Sequence, residues 1–300
     1  MSAPQQSILV IGAGKLGTAL AVALARVGHT VTVFARDLAK TAQWQPSFAG
    51  VVIDHFADAQ FATAQFATAQ FAIVLVCVPD RAMVVAAQAA VQGGVRGAVW
   101  LHTAGAMAGD LLADTIADAP TGSIHPLAAV DGPGDPDPLV GALYAVAGNP
   151  AAIKVAHELA RQLGGQAVEI ADEARSAYHT AAALVANDWV ALFAVAEQVA
   201  RRSDLDPALL RRGLLHLAHT SLERLANLPL TTDIVTGLTG AARRGDAETL
   251  AKHMAQLQSD PSGLAVHRAA TQVLVQRLMA LHLLSQDAGQ RCLQALAAAD

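Results

Sequence analysis

The sequence predicts a doubly wound α/β domain over residues 1–170, followed by an all-α domain over residues 171–300. Three observations predict this organisation. The chain's 300 residues exceed what one compact core usually organises. Short β-branched runs alternate with helical stretches in the first half, which is typical of a parallel sheet with right-handed helical crossovers. From Ala171 onward, helical stretches follow one another without a strand-like run.

The composition excludes several function classes. Hydrophobic residues make up 53% of the chain and charged residues 15%, which excludes a disordered protein. The formal net charge of −5 lacks the basic footprint of a protein that binds nucleic acid or an anionic membrane. The two cysteines, Cys77 and Cys292, offer neither a disulfide framework nor a CxxC zinc motif. No continuous apolar run approaches the roughly 18 residues of a spanning helix, and no signal peptide is evident, so we expect a cytoplasmic protein. Because no His, Asp or Glu cluster has the spacing of metal ligands, we expect no metal site.

The strands of the first domain are expected at near-continuous apolar runs, because strands buried on both faces of a sheet have that pattern. These runs lie at residues 8–11, 31–34, 72–78 and 98–101, with later strands at 123–124, 143–147 and 167–170. Helices are expected at residues 15–27, 81–91, 108–117 and 151–163. Residues 56–71 instead repeat Phe-Ala-Asp/Thr-Ala-Gln. We interpret this repeat as a local sequence expansion; the alternative is a partner-binding segment.

The second domain opens with a helix expected over residues 172–202. Its centre, residues 177–196, is apolar on nearly all sides, which is typical of a helix surrounded by protein. Part of that surrounding is expected to come from a second copy of the chain, which gives a homodimer through the helical domain. Turn-forming residues at 206–207, 227–229, 236–240 and 260–263 separate the later helices.

A G-x-G-x-x-G motif directly follows the first strand and opens the first helix. It consists of Gly12, Ala13, Gly14, Lys15, Leu16 and Gly17. The first glycine permits a tight turn, the second lets the backbone approach a pyrophosphate, and the third allows the helix to pack closely on the strand. Free N–H groups at the helix N-terminus then bind the phosphates. The motif in this context predicts dinucleotide binding; the alternative is a glycine-rich packing turn.

The end of the second strand indicates which dinucleotide binds. A site for NAD has a carboxylate there for the ribose hydroxyls, but Arg36 stands at that point. A guanidinium suits a 2′-phosphate through charge-assisted hydrogen bonds, which predicts NADP(H). Asp37 follows and is expected to face away or to begin the next helix. The alternative is that Arg36 is an ordinary surface arginine.

Two further strand ends are expected to line the cofactor groove, because ligands bind at the carboxyl edge of such sheets. Val78, Pro79 and Asp80 end one strand, and Thr103 lies just beyond the next. The alternative for both segments is that they only form the loops after the strands and bind no ligand.

Three histidine and amide side chains are the candidates for chemistry. His125, followed by Pro126, lies at the end of a further strand, where it could exchange a proton with a substrate; a structural turn histidine is the alternative. His179 and Asn187 lie eight residues apart on the long helix among alanines. Burying them unpaired costs about 1–3 kcal/mol each, so a substrate or an internal network is expected to satisfy them. Arg244 is a further candidate, for a substrate carboxylate.

These motifs together resemble the Rossmann-like oxidoreductases, predicted to use NADP, that carry a C-terminal helical domain of unknown function. The matching segments are GAGKLG, VCVPD, LHTAGA, GSIHPL, YHTAAALVAND and LTGAARRGDAETLAKH, in family order within residues 8–253. The resemblance implies a Rossmann domain followed by a helical domain like the C-terminal domain of 6-phosphogluconate dehydrogenase and those of pyrroline-5-carboxylate reductase and ketopantoate reductase. The His-Pro pair is also similar to that of prephenate dehydrogenases, whose histidine is catalytic.

The chain departs from these relatives at three positions. Ala104 and Ala241 stand where the family usually has serine and proline. Ala183 stands where related hydroxyacid dehydrogenases have a lysine four residues before the asparagine, so their mechanism does not transfer. We therefore expect an NADP(H)-dependent oxidoreductase that transfers hydride to or from a small C=O or C=N substrate between the domains, with His125 or His179 as proton donor and Asn187 as orienting group. The alternative is an NADP-binding sensor or assembly protein without turnover.

Overall fold

The computed structural model describes residues 5–55 and 71–298, so most of the 56–71 repeat lies outside the described residues. The chain divides into two compact units, Met1–Leu184 and Val185–Asp300. The division falls inside the long helical stretch that begins at Asp172, whereas the sequence predicts a domain boundary at residue 170.

The first unit is built on an eight-stranded sheet. Its strands are β1 Ser7–Ile11, β2 Thr30–Phe34, β3 Val51–Ile53, β4 Phe71–Val76, β5 Gly97–His102, β6 Thr121–Pro126, β7 Leu143–Gly148 and β8 Gln166–Glu169. Their order is β3-β2-β1-β4-β5-β6-β7-β8, and every neighbouring pair is parallel except β6 and β7. The predicted doubly wound α/β class is confirmed, and β1, β4, β5 and β6 end at the same edge.

Helices cover both faces of this sheet. They are α1 Lys15–Arg26, α2 Met83–Gln92 and α3 Pro150–Gln162, and the unit ends with α4 Asp172–Ala183. Side chains alternate along β1, so Ile8 and Val10 pack in a core with α1 and α3, whereas Leu9 and Ile11 pack in a second core with α2. Both faces of β1 are therefore buried, which explains its uninterrupted apolar sequence.

Residues 108–117 form turns, so the helix predicted there is wrong. Gly109 lies so close to β7 that a Cβ on it would stand 2.6 Å from the Gly148 nitrogen, and its N–H donates to Asp172 Oδ1 over 2.9 Å. These contacts hold the segment at the sheet edge, where it forms i→i+3 turns such as that closed by Ala113 N–H and the Asp110 carbonyl. Strand β3 was not expected, because only its last residue, Ile53, is buried.

The described part of the second unit, residues 185–298, contains helices and no strand. After a π-helical turn at Leu184–Asp188, the helices are α5 Trp189–Ala200, α6 Pro207–Ala226, α7 Ala241–Arg244, α8 Ala247–Leu257, α9 Pro261–Ala280 and α10 Gln286–Ala297. Asp206, Asp246 and Asp260 cap the starts of α6, α8 and α9 through their carboxylates. The turns expected at residues 206–207 and 260–263 are therefore confirmed at the starts of α6 and α9.

The long helical stretch Asp172–Ala200 is exposed. The sequence predicts a helix surrounded by protein, but Val185 and Val190 are 76% and 61% exposed in the single chain. By length and composition the stretch could cross a membrane, with a mean hydropathy of 1.3 and none of its most apolar window buried. No spanning helix was expected, because polar residues interrupt the apolar run. The first turns of α4 nevertheless pack on the sheet edge, where Arg175 is buried.

Candidate functional site

The glycine-rich turn after β1 has the geometry that its sequence predicts. Gly12 adopts a φ of +116°, and a Cβ there would stand 2.6 Å from the Cys77 carbonyl oxygen. A Cβ on Gly17 would overlap the Gly12 carbonyl oxygen, so this residue allows α1 to lie close to the turn. A Cβ on Gly14 would meet nothing within 4 Å, which leaves open space beside the turn.

Among the described residues, no side chain caps the N-terminus of α1. Gly14 is the capping residue and supplies no side chain, and the first turn carries no acidic residue. The hydroxyl of Thr18 donates to the Gly14 carbonyl over 2.8 Å and accepts the Gly134 N–H over 2.9 Å, which fixes the turn from behind. Exposed N–H groups at a helix start, with the helix dipole behind them, fit a phosphate.

Arg36 lies exposed two residues beyond β2, at the edge where the glycine turn also lies. Asp37 caps the short 3₁₀ helix Leu38–Thr41, and its carboxylate accepts the Ala39 N–H over 3.1 Å. As expected, Asp37 begins the next helical element.

The predicted groove residues after β4 and β5 differ in exposure. Pro79 and Asp80 are exposed and Val78 is half-buried, whereas Thr103 is buried. The Thr103 hydroxyl donates to the Val76 carbonyl over 3.4 Å and so joins the ends of β4 and β5. The neighbouring Cys77 thiol is also buried, which raises its pKa to about 12 and keeps it protonated.

Two predicted histidines meet at the end of β6. The rings of His125 and His179 lie 6.0 Å apart, and Gly105 lies beside both. A Cβ on Gly105 would stand 2.7 Å from His179 Nδ1 and 2.8 Å from His125 Nε2. On its other side, His125 Nδ1 shares a hydrogen bond of 3.1 Å with the hydroxyl of Tyr178, whose ring meets it edge-on.

Arg175 lies one turn before His179 on α4 and is 1% exposed. It donates from Nη1 to Ser123 Oγ over 2.9 Å and from Nη2 to the Ala104 carbonyl over 2.8 Å, while Nε has no hydrogen-bond partner among the described residues. No carboxylate in the described part of the chain lies within ion-pair distance of it. A buried cation without a close counter-ion is costly and acts strongly on its neighbours.

The environment of His125 keeps its imidazole neutral. Burial, together with His179 and Arg175, lowers its pKa to about 4 against an opposing effect of Asp80. At neutral pH the ring therefore carries one proton, and its two nitrogens have different roles.

His102, at the end of β5, is neutral for a similar reason. Burial lowers its pKa to about 4. Its Nδ1 accepts the Ala104 N–H over 3.3 Å, so its proton resides on Nε2 and is donated to the Ala108 carbonyl over 2.9 Å. His102 thus holds the loop that carries Gly105 against the sheet.

Some site residues were missed, and others lie elsewhere. Asn187 lies exposed in the π-helical turn of the second unit, and His179 is also exposed, so the burial cost expected for these two does not arise in the single chain.

Arg175 and Tyr178 were missed as site residues. Their spacing was the available signal, because residues at i, i+3 and i+4 of α4, the last being His179, share one helix face. Arg244 lies at the C-terminal end of α7.

Comparisons with known proteins agree with this architecture. A family model described as a Rossmann-like domain matches residues 1–128, and one described as domain of unknown function DUF2520 matches residues 142–273. A comparison with curated proteins returns no match.

Three solved structures illustrate the similarity. A predicted NADP oxidoreductase from Bacteroides fragilis is 19% identical, with a TM-score of 0.70 over 90% of this chain and 98% of its own. A 1-pyrroline-5-carboxylate reductase from Streptococcus pyogenes is 14% identical, with a TM-score of 0.59 over 98% of both chains. A reductive aminase from Aspergillus terreus, in complex with NADPH, is 17% identical, with a TM-score of 0.54 over 96% of this chain and 98% of its own.

At these identities the similarity establishes the fold. Together with the two family models it confirms the resemblance that the motifs indicate. Residues 1–128 match the model of a Rossmann-like domain, and residues 142–273 match the model of the domain of unknown function DUF2520.

Proposed function

We propose that this protein is an NADP(H)-dependent oxidoreductase that transfers hydride to or from a small C=O or C=N substrate. The observation that carries the proposal is the neutral His125, hydrogen-bonded to Tyr178, at the same sheet edge as the open glycine turn. The fold is shared with structures described as NADP oxidoreductases and pyrroline-5-carboxylate reductases, which supports the reaction class.

The chain offers a site that fits the dinucleotide. The uncapped start of α1 and the open space beside Gly14 fit the pyrophosphate, and the exposed Arg36 fits a 2′-phosphate. When bound, the cofactor supplies or accepts the hydride. The protein then has to orient the substrate and to move a proton at its oxygen or nitrogen, which we assign to His125 with His179 beside it.

The experiment that tests this function is NADPH oxidation across a panel of keto acids and cyclic imines. We expect saturable turnover of at least one substrate, lost in His125→Ala while NADPH binding is retained. Tight NADP binding without turnover on any substrate would instead favour the sensor function. Ala183 also favours it, because this alanine stands where related hydroxyacid dehydrogenases have a lysine.

Replacing Arg36 by alanine is expected to weaken NADPH binding about 10- to 100-fold and to leave NADH binding unchanged. A hydrogen bond to a charged group contributes about 1.5–3 kcal/mol, and only NADPH carries the 2′-phosphate. Isothermal titration calorimetry with NADPH and with NADH measures the two dissociation constants and hence their ratio in each variant. Arg26→Ala is the matched control, because Arg26 is also exposed and pairs with Asp137. Equal loss for both nucleotides would contradict the role of Arg36.

We also propose that the exposed apolar stretch after α4 contacts a second copy of the chain. Leu184, Val185, Val190 and Leu192 are all exposed in the single chain, and exposed apolar patches of this kind mark interfaces. Sedimentation analysis is expected to give a dimer, and Val185→Glu with Val190→Glu to give a monomer. A wild-type monomer at every concentration would contradict the proposal.

A further inference from the structure

Helix α4 presents three polar side chains to the end of β6. Arg175, Tyr178 and His179 occupy positions i, i+3 and i+4, so they project from one face of the helix. The structure shows all three around His125 or the strand that carries it: Arg175 binds Ser123, Tyr178 binds His125, and His179 stacks edge-on near His125. The arrangement surrounds one imidazole with a hydroxyl, a cation and a second imidazole.

The direction of the hydrogen bond with Tyr178 determines which nitrogen of His125 carries the proton. When the Tyr178 hydroxyl donates to Nδ1, the single proton of the neutral ring resides on Nε2. Nε2 lies close to Gly105, where a side chain would crowd it, because a Cβ would stand 2.8 Å from this nitrogen. In this tautomer, a substrate atom that reaches Nε2 would meet an N–H donor whose other nitrogen accepts from the Tyr178 phenol.

The buried guanidinium of Arg175 favours the neutral ring and the ionised phenol. Burial raises the pKa of Tyr178, and the nearby positive charge of Arg175 opposes part of that rise. The same charge adds to the lowering of the His125 pKa that burial causes. The other groups that face His125 are His179 on α4, which acts in the same direction, and Asp80 beyond β4, which opposes it. A neutral imidazole that donates a proton to a developing oxyanion is a known solution in enzymes.

We propose that Tyr178 is a positioning residue that drives a proton relay through His125, with Arg175 stabilising the charge that the relay leaves behind. This inference rests on the proposed function. In the reductive direction, as hydride reaches the substrate carbon, the Nε2–H bond breaks and the proton joins the carbonyl oxygen or imine nitrogen. The O–H bond of Tyr178 breaks in the same relay and its proton joins Nδ1. The resulting tyrosinate then takes a proton from water.

The first test uses the protein without cofactor or substrate. Nitrogen-15 NMR of the histidine rings, with the His125 signals assigned from His125→Ala, reports which nitrogen is protonated. We expect Nε2 to be protonated and Nδ1 to accept a hydrogen bond in the wild type, and a mixture of both tautomers in Tyr178→Phe. Tyr144→Phe is the matched control, because the Tyr144 hydroxyl donates to the Leu139 carbonyl over 2.7 Å, whereas that of Tyr178 binds His125. A wild-type ring protonated at Nδ1 would overturn the relay.

The same spectra test Arg175. Arg175→Met is expected to move the titration of His125 upward by about one pH unit or more, and Arg175→Lys, which keeps the charge, to restore most of the shift. Should Arg175→Met fail to fold, the lysine variant and Tyr178→Phe still test the relay. An unchanged titration in a folded Arg175→Met would show that the cation does not act on His125.

The second test separates the relay from the proposed function. In a protein that turns over, Tyr178→Phe is expected to lower kcat about 100-fold, with KM and NADPH affinity unchanged, since a positioned proton donor contributes about 10²–10⁴-fold. The variant is also expected to lose the alkaline limb of the pH profile of kcat. Full kcat in Tyr178→Phe, beside an active wild type, overturns the relay alone. An inactive wild type overturns the proposed function and the relay together.

Discussion

Gly17→Ala is expected to lower the free energy of unfolding by about 2 kcal/mol and to abolish dinucleotide binding. The new Cβ would overlap the Gly12 carbonyl oxygen, a backbone atom that moves only if α1 and the turn separate. Overpacking of this kind costs about 1–3 kcal/mol, and a backbone contact belongs at the upper end. The higher helix propensity of alanine stabilises the folded state by about 1 kcal/mol, which offsets only part of this loss, so the net change is still destabilising. Urea denaturation of the protein without cofactor measures it.

Gly14→Ala is the matched control within the same turn. Its Cβ would meet nothing within 4 Å, and its φ of −76° suits any residue, so the expected loss of stability is under about 1 kcal/mol. Nucleotide binding is nevertheless expected to weaken, because the methyl group occupies the space proposed for the pyrophosphate. Equal stability of the two variants would contradict the close packing assigned to Gly17.

The second large effect is a loss of stability in mild acid that depends on His102. This side chain is 0% exposed, and burial lowers its pKa to about 4 from 6.5. Between these values the unfolded chain binds a proton at His102 and the folded chain does not. Its contribution is therefore complete above pH 6.5 and is lost as the pH falls toward 4, by about 2–3 kcal/mol.

His102→Gln isolates this contribution from that of the carboxylates. The variant is expected to be less stable than the wild type at pH 8, because the ring's hydrogen bonds to Ala104 and Ala108 are lost. The stability difference should then shrink by about 2–3 kcal/mol as the pH falls toward 4. A constant difference for His102→Gln would mean that the folded protein protonates His102 as readily as the unfolded chain.

Local sequence rules located much of the fold. The glycine turn is where its motif predicts, because Gly12 needs a positive φ and Gly17 needs a missing side chain. Helices α6, α8 and α9 begin where an aspartate caps them. Each of these signals acts within a few residues of chain, so the feature can be predicted from the local sequence alone.

Other expectations were wrong where contacts between residues far apart in the sequence determine the local structure. Residues 108–117 have apolar residues at helical spacing, yet the contacts of Gly109 with Gly148 and Asp172 hold them in turns. The antiparallel pairing of β7 with β6 was also not evident, because an apolar run does not specify strand direction. The apolar stretch after α4 was expected to be buried, but apolar composition does not say which chain covers it.

The order of the α/β and helical parts, the glycine-rich turn and the two histidines that meet at the sheet edge were all predictable from residues close together in the chain. Only the tertiary structure brought Arg175 to Ser123 and Ala104, which lie 52 and 71 residues away along the chain. It alone also decided that His102 and His125 are neutral. The physical reason is that burial and the field of a remote cation fix a protonation state, and neither is written in the residues next to the histidine.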